Sequence, residues 1–209
     1  MKIKRIISLC KARKEIIIMH TESGKMMWVS DGCAAYPMYS IPVMDPEDIL
    51  QMHDIPEDES INYSMREKAL AFNPDYPRHG EAMSLDEIAI KIVMSGIKWR
   101  PFICRETNRI YYIDSAYLAP LEDNKQEKTY WLKYNLETGV PIVMVYAGMT
   151  VLAAIAPQTL NWEAAYMIYT LLMADAERKA YKETVSKKEP EPEQTVLNEE
   201  ESGGAERSI

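Results

Sequence analysis

Residues 3–13 carry apolar side chains at the 3.6-residue spacing of a helix. The apolar positions that fall within one arc are Ile3, Ile6, Ile7, Leu9 and Cys10. Lys4, Ser8 and Lys11 form a stripe on the opposite side at i, i+4 and i+7. The pattern therefore predicts an amphipathic helix with a basic polar face.

Short apolar or alternating runs predict strands along most of the remaining chain. The predicted strands are 15–21, 25–30, 100–105, 109–114, 129–134 and an uncharged pair joined at Ala147-Gly148. Asp45 and Pro46 favour a helix that starts there and runs to about residue 53, because Asp can cap and Pro suits the first helical position. Residues 115–121 are expected to form a short turn or helix.

Two segments are expected to be mostly irregular, and a third, which follows them, is expected to form a helix. A loop containing Pro37 and Pro42 is expected after Asp31-Gly32, and residues 56–82 are expected to be mostly irregular because they are polar and contain proline. Ser84 and Glu87 have the spacing of a capping box. We therefore predict a helix from there to about Gly96.

The order of these elements predicts an α+β fold of duplicated helix-plus-antiparallel-hairpin units. The two half-units cover about 1–55 and 83–160, and a C-terminal helix over 160–183 completes a single domain of residues 1–183. Residues 184–209 are rich in Glu and Pro and lack a periodic apolar pattern. They are predicted to form a disordered acidic tail.

Composition is globular, with 47% hydrophobic and 27% charged residues, and the formal net charge is -8. A protein with this charge repels a phosphate backbone unless its basic side chains are segregated on one face. The position of the Lys and Arg residues is therefore more informative than their number.

The sequence offers no pattern for catalysis or metal binding. The three cysteines, Cys10, Cys33 and Cys104, form no CxxC pair, and no two of the three histidines have helical ligand spacing. Asp31 has no identifiable second carboxylate for acid/base work. We therefore predict buried, reduced cysteines, no metal, no cofactor and no enzymatic activity.

The segment between Glu137 and Glu163 contains no charged residue and is long enough to span a bilayer. However, Pro141, Gly148 and Pro157 interrupt it, and its acidic flanks lack cationic anchors. Two buried strands are expected here instead of a transmembrane helix. Because no secretory signal pattern is visible either, we predict a cytoplasmic protein without membrane contact.

Cationic side chains are concentrated in the first fourteen residues, which contain no acid. They are Lys2, Lys4, Arg5, Lys11, Arg13 and Lys14. A basic helix face can contact phosphates without reading bases, so Lys4, Arg5, Lys11 and Lys14 are candidate DNA contacts. The alternative is that these charges only solubilise the exposed face of the helix.

Three segments resemble parts of DNA sliding clamps, the processivity rings of replicative polymerases. They are IYYIDSAYLAPL (110–121), VPIVMVYAGMTVLAAIAPQTL (140–160) and GKMMWVSDGCAA (24–35). The first resembles a clamp strand that enters a Tyr-Leu turn, the second the closing strand pair, and the third a hairpin that ends in Asp-Gly. The basic helix, Lys4–Lys14, is similar to a helix that lines the DNA hole.

This resemblance implies a clamp-like protein that can form an oligomer and that holds double-stranded DNA through phosphate contacts. It also implies an edge at Ile155, Ala156 and Pro157 that receives a peptide from a replication or host protein. DGCAAYP (31–37) and DIPE (54–57) are in addition similar to uncharacterised small proteins of prophages and mobile elements in Gram-positive bacteria.

Two functional hypotheses follow. The first is a non-enzymatic, sliding-clamp-like, DNA-associated accessory protein of a phage or mobile element. The alternative is a phage-encoded protein-binding module, such as a host-factor inhibitor or adaptor, that does not bind DNA and presents its acidic surface to a basic partner.

Overall fold

The computed structural model describes residues 3–21, 24, 26–39, 41–52, 55–78, 80–90 and 92–158, together with 170, 174 and 178. The chain divides into two units, residues 1–159 and residues 160–209. The predicted helix over 160–183 and the predicted tail over 184–209 lie outside the described residues, apart from the helical backbone at 170, 174 and 178. The single domain over residues 1–183 therefore stays a prediction.

The helices of the described part are short, except for the first. They are α1 (Ile3–Arg13), α2 (Pro46–Met52), α3 (Glu57–Ser60) and α4 (Ser115–Leu118), which continues into a 3-10 turn at Ala119–Leu121. Two reciprocal hydrogen bonds cap the N-terminus of α2. The Asp48 N–H donates to the Asp45 carboxylate at 2.8 Å, and the Asp45 N–H donates to the Asp48 carboxylate at 3.2 Å. The predictions of α1, α2 and a short helix at 115–121 are confirmed.

More of the described residues lie in strands than in helices, so the predicted α+β class is confirmed with the sheet predominating. In chain order they are β1 (Glu15–His20), β2 (Met27–Ser30), β3 (Ala34–Pro37), β4 (Ser64–Ala69), β5 (Met83–Glu87), β6 (Ile92–Met94), β7 (Ile97–Cys104), β8 (Arg109–Asp114), β9 (Lys128–Tyr134), β10 (Pro141–Ala147) and β11 (Thr150–Ile155).

These strands form one sheet in the described part, in the order β4-β1-β2-β3-β11-β10-β9-β5-β7-β6, with β8 paired to β7. Strands β1 and β4 are parallel, and the other pairs are antiparallel. A bridge between Tyr112 and Gln158 joins β8 to the chain just after β11. The sheet therefore bends far enough for the segment that follows β11 to meet β8.

Both faces of β10 are covered, which explains why its sequence is continuously apolar. Val143 and Val145 belong to the main core beneath α1 and α2, whereas Met144 and Tyr146 belong to a second cluster around Trp28 on the opposite face. The expectation that the uncharged segment contains two buried strands is confirmed. Strands β10 and β11 meet at the turn formed by residues 148–149.

The predicted helix from Ser84 to about Gly96 is wrong, because β5 and β6 occupy this segment. The Ser84 N–H donates to the Glu106 carboxylate at 3.3 Å, so no capping box forms. Pairing of β5 with β7 and β9 overrides the local helix signal, and the β-branched residues of this segment fit a strand. The second half-unit therefore lacks the helix that a helix-plus-hairpin repeat requires.

Two expected loops also contain strands. Residues 34–37 form β3, which ends at Pro37, and residues 64–69 form β4. Strand β4 is mostly exposed and carries Arg66, Glu67 and Lys68, a composition typical of a protected sheet edge. Because β4 is polar, it lacks the apolar or alternating pattern that predicts a strand.

Candidate nucleic-acid interface and the adjoining cysteine turn

Helix α1 presents a buried apolar face and an exposed cationic face. Its buried residues are Ile6, Ile7 and Cys10. Lys4, Lys11 and Lys14 are exposed. Lys14 ends the helix in the left-handed region at φ 53°, and its N–H donates to the Lys11 carbonyl at 3.2 Å. We call Lys4, Lys11 and Lys14 the lysine ridge.

Arg5 is less exposed than the lysine ridge, and its guanidinium is bonded within the fold. Its Nη1 atom lies 2.8 Å from Glu122 Oε2 and also donates to the Ala119 carbonyl. These contacts attach α1 to the 3-10 turn and to the residue that follows it. Of the four residues predicted to contact DNA, Lys4, Lys11 and Lys14 are thus exposed, and Arg5 is paired with Glu122. Helix α1 has Lys11 and Arg13 in its last turn. Basic side chains at this position interact favourably with the negative end of the helix dipole.

The predicted partner-binding edge at 155–157 is already paired in its first part. Ile155 is fully buried and lies opposite Ala34 of β3. The Ala156 N–H donates to the Cys33 carbonyl at 2.8 Å. Ala156 and Pro157 are half-buried, so the side chains that this edge can offer a peptide are theirs. Their role in partner binding stays a prediction.

The turn between β2 and β3 is held by one carboxylate. Asp31 Oδ1 accepts from the N–H groups of Cys33 at 3.0 Å and Ala34 at 2.8 Å, as Asp does in tight turns. Gly32 adopts φ +87°, and a Cβ there would lie 2.6 Å from Glu15 Oε2. The predicted Asp-Gly turn is therefore confirmed, and this geometry requires glycine at position 32.

A cluster of polar groups surrounds this turn, and no motif in the sequence predicts it. Arg13 Nε lies 3.9 Å from Asp31 Oδ2. Arg13 and Cys33 also lie close enough to the Tyr117 side chain to interact with it. We call Arg13, Asp31, Cys33 and Tyr117 the cysteine cluster. Its members come from α1, the β2–β3 turn and α4, so no spacing in the sequence brings them together.

Electrostatics within the cysteine cluster follow from burial and charge. Burial raises the pKa of the Tyr117 hydroxyl, and the charge of Asp31 raises it further. A Coulombic interaction with Cys33 raises the pKa of the Arg13 guanidinium. Asp31 is 2% exposed, and its Oδ2 atom has no hydrogen-bond partner. The cluster thus combines a thiol, two hydrogen-bond donors and a buried, incompletely satisfied carboxylate.

The described residues of the first unit form at least two clefts. The first has a volume of about 570 Å³ and is lined by apolar residues that include Ile17, Phe72 and Ile142, with Cys33 and Lys68 also in its wall. The second, of about 750 Å³, lies beside residues 73–78 and Thr150. The volume and the largely apolar lining of the first are typical of small-molecule sites.

Within the described residues, no group of three His, Cys, Asp or Glu side chains is placed to hold a metal ion. None of the helices in this part of the chain combines the length and the apolar character needed to cross a membrane. Comparison with known proteins gave no match to a family model, to a curated protein or to a solved structure.

Proposed function

We propose that the protein is a non-enzymatic, clamp-like accessory protein of a phage or mobile element that associates with double-stranded DNA in the cytoplasm. The observation that carries this proposal is the lysine ridge, exposed along α1 while the apolar face of that helix is buried. An exposed row of ammonium groups can contact phosphates along one strand without reading bases.

The distribution of charge supports this function. Residues 3–14 contain only cationic charges, whereas the whole chain has 32 acidic and 24 basic residues. Repulsion by the acidic remainder and attraction by α1 would restrict contact with DNA to one face. Binding of this kind depends strongly on salt, because each neutralised phosphate releases counterions.

A clamp-like mode of action would require several chains. In the described part, α1 is the one helix long enough to line a channel with basic side chains, since the segment after Ser84 forms strands. Each copy would then contribute one α1 to a ring. A solution mass measurement with and without duplex DNA tests this part of the proposal, because a closed oligomer favours it and a monomer indifferent to DNA contradicts it.

The contact with DNA is tested by reversing charges on the ridge. The double variant Lys4→Glu/Lys11→Glu should abolish the shift of a random-sequence duplex in an electrophoretic assay and reduce the salt slope of any residual binding. The matched control is Lys98→Glu/Lys125→Glu, which makes the same change in net charge at exposed positions outside α1. Equal binding by both double variants would refute the proposal.

A protein-binding module that does not contact DNA is the second candidate, and one surface favours it. Tyr134, Leu136 and Val140 are 47%, 73% and 52% exposed around the β9–β10 turn. Neighbouring exposed apolar side chains of this size are typical of protein contacts.

This second candidate makes a different prediction in a pull-down from host lysate. A partner that remains after nuclease treatment and is lost with Leu136→Ser/Val140→Ser supports the module. A partner that disappears with nuclease treatment supports the DNA proposal instead. Ile61→Ser is the matched control, because Ile61 is 85% exposed and lies on another part of the surface.

A further inference from the structure

The cleft of about 570 Å³ lies on the face of the sheet that carries the cluster around Trp28. Its floor contains small side chains from three neighbouring strands, because Ser30 lies opposite Ala35 and Ala35 lies opposite Ala154. Trp28, two residues before Ser30 in β2, points to the same face and is much larger. The step from Trp28 to the small side chains leaves the space that the cleft occupies.

Two segments outside the strands form walls of this cleft, and they are hydrogen-bonded to each other. The Leu136 N–H donates to the Ala71 carbonyl at 2.8 Å, which joins the β9–β10 turn to the segment after β4. Asn135 Oδ1 accepts from the N–H groups of residues 137 and 138, both at 2.9 Å, so the turn is also held internally. Phe72, in the other wall, belongs to the buried cluster. The cleft is therefore pre-formed, as small-molecule sites usually are.

The walls of this mainly apolar cleft carry one cation and one anion, Lys68 and Glu137. Both side chains are exposed, and neither has a hydrogen bond or an ion pair with another described residue. Arg66 and Glu15, whose carboxylate approaches Gly32 in the cleft wall, lie 3.2 Å apart and satisfy each other. Lys68 and Glu137 are therefore the charges that the described lining offers to a ligand.

A ligand that matches this lining needs an apolar body between a carboxylate and an ammonium group. Lys68 belongs to β4 and Glu137 to the β9–β10 turn, and the two do not pair with each other, so the two charged groups of the ligand must be apart. We propose that the cleft binds a short apolar peptide with free termini, whose carboxylate pairs with Lys68 and whose ammonium group pairs with Glu137. This activity is independent of DNA binding.

The floor also contains a polar group suited to a peptide backbone. Ser30 is 5% exposed, and its Oγ atom accepts from the Gly32 N–H at 3.0 Å. This bond uses the oxygen as an acceptor, so the Ser30 O–H can donate to a peptide carbonyl in the cleft. A few placed polar groups within an apolar lining are what orient a ligand in such a site.

Isothermal titration calorimetry of the full chain with Leu-Leu-Leu tests this site. We expect saturable binding, whereas Gly-Gly-Gly, which has the same charged termini but no apolar side chains, should give none. N-acetylation or C-amidation of Leu-Leu-Leu should each weaken binding about fivefold, because each removes one exposed ion pair.

Two variants identify the residue that each terminus contacts. In Glu137→Gln, Leu-Leu-Leu should bind about fivefold more weakly, and N-acetylation should weaken binding no further. In Lys68→Gln the same should hold for C-amidation. Ala71→Leu, which enlarges a side chain of the cleft wall, should weaken binding of all three leucine peptides. Thermal melts of each variant exclude unfolding as the cause.

Cys33 reports where the peptide binds. It lines the cleft and is partly exposed, so the prediction of buried cysteines is wrong for Cys33, whereas Cys10 and Cys104 are buried. Saturating Leu-Leu-Leu should therefore slow the alkylation of Cys33 by N-ethylmaleimide, measured by peptide mass spectrometry. An unchanged rate would place the peptide elsewhere and contradict the proposal.

Glu127→Gln and Lys125→Gln are the matched controls, because they make the same charge changes at exposed positions that do not line the cleft. Both should bind Leu-Leu-Leu like the wild type. Absence of saturable binding, equal losses in the control and cleft variants, or an acetylation penalty that persists in Glu137→Gln would each overturn the proposal. Binding of decanoate through Lys68 without binding of Leu-Leu-Leu would overturn it as well and assign the cleft to simple carboxylates.

Discussion

The Nζ atom of Lys133 lies 2.6 Å from the carbonyl oxygen of Asp75, which attaches the loop before β5 to the middle of the sheet. Nζ donates a second bond to the Asn73 carbonyl at 3.1 Å, and the Tyr146 hydroxyl donates to the Asp75 carbonyl at 2.8 Å. Lys133 is 6% exposed, and this burial lowers its pKa. The charges of Glu81 and Asp75 raise the pKa by a smaller amount. A buried ammonium group therefore holds a polar loop by its backbone.

Replacing this lysine should loosen the loop. Lys133→Met keeps most of the apolar stem but leaves two carbonyls without their donor, so we expect a loss of about 2 kcal/mol in the free energy of unfolding. Urea denaturation measures this loss, and hydrogen exchange should be faster at the backbone amides of Asn73, Asp75 and Tyr76. Lys125→Met, at an exposed position, is the control and should change neither quantity.

Gly32 should be more sensitive to substitution than other glycines of positive φ. Gly32→Ala incurs left-handed backbone strain and also displaces the Glu15 carboxylate, which pairs with Arg66 at 3.2 Å. We expect a loss of about 2 kcal/mol, against about 1 kcal/mol for Gly139→Ala, where a Cβ meets nothing within 4 Å. Thermal denaturation compares them, and equal losses would show that the contact with Glu15 is immaterial.

Arg5 should contribute to stability and not to DNA affinity. Arg5→Gln removes the ion pair with Glu122 and weakens the bond to the Ala119 carbonyl, so we expect a loss of about 1 kcal/mol in the free energy of unfolding. Lys4→Gln, its neighbour on α1, should do the reverse and weaken DNA binding with little effect on stability. A large loss of affinity in Arg5→Gln with unchanged stability would contradict the assignment.

Alkaline pH should destabilise the fold, and Cys10 should contribute first. Burial raises the pKa of the Cys10 thiol from 9.0 to about 12, so between these values the folded state holds a proton that the unfolded state has lost. Unfolding free energy should therefore fall by up to about 1.4 kcal/mol per pH unit as pH rises through this window.

Urea denaturation between pH 8 and pH 10.5 measures this dependence, with Cys10→Ala as the comparison. The variant should have a shallower slope, whatever its stability at pH 8. Tyr36 and Tyr146, whose pKa burial also raises, act in the same direction above pH 10, whereas the lowered pKa of Lys133 acts in the opposite direction. Parallel slopes in both proteins would assign the effect to groups other than Cys10.

Elements with a strong local signal could be predicted from the sequence. The apolar arc of α1, the cap at Asp45 and the strand pair joined at Gly148 are each specified by residues close together in the chain. Elements that depend on pairing with strands distant in the sequence could not be predicted in this way. Strand β4 is polar and forms because it lies beside β1, and β5 forms because β7 and β9 flank it.

The same distinction applies to the candidate sites. The lysine ridge follows from the helical periodicity of α1, so its exposure could be anticipated, but the bonding of Arg5 to Glu122 depends on how α1 packs. The cysteine cluster joins Arg13, Asp31 and Tyr117 around Cys33 through tertiary packing alone.

The pairing of β3 with β11 has a consequence for biosynthesis. Strands β1, β2 and β3 are made first, but β3 acquires its second neighbour only when β11, the last of the described strands, has left the ribosome. During translation the outer edge of β3, at Ala34 and Ala35, therefore stays unpaired until β11 has been synthesised. Such an edge attracts foreign strands, so holdase chaperones that shield the emerging chain should raise the yield of native protein.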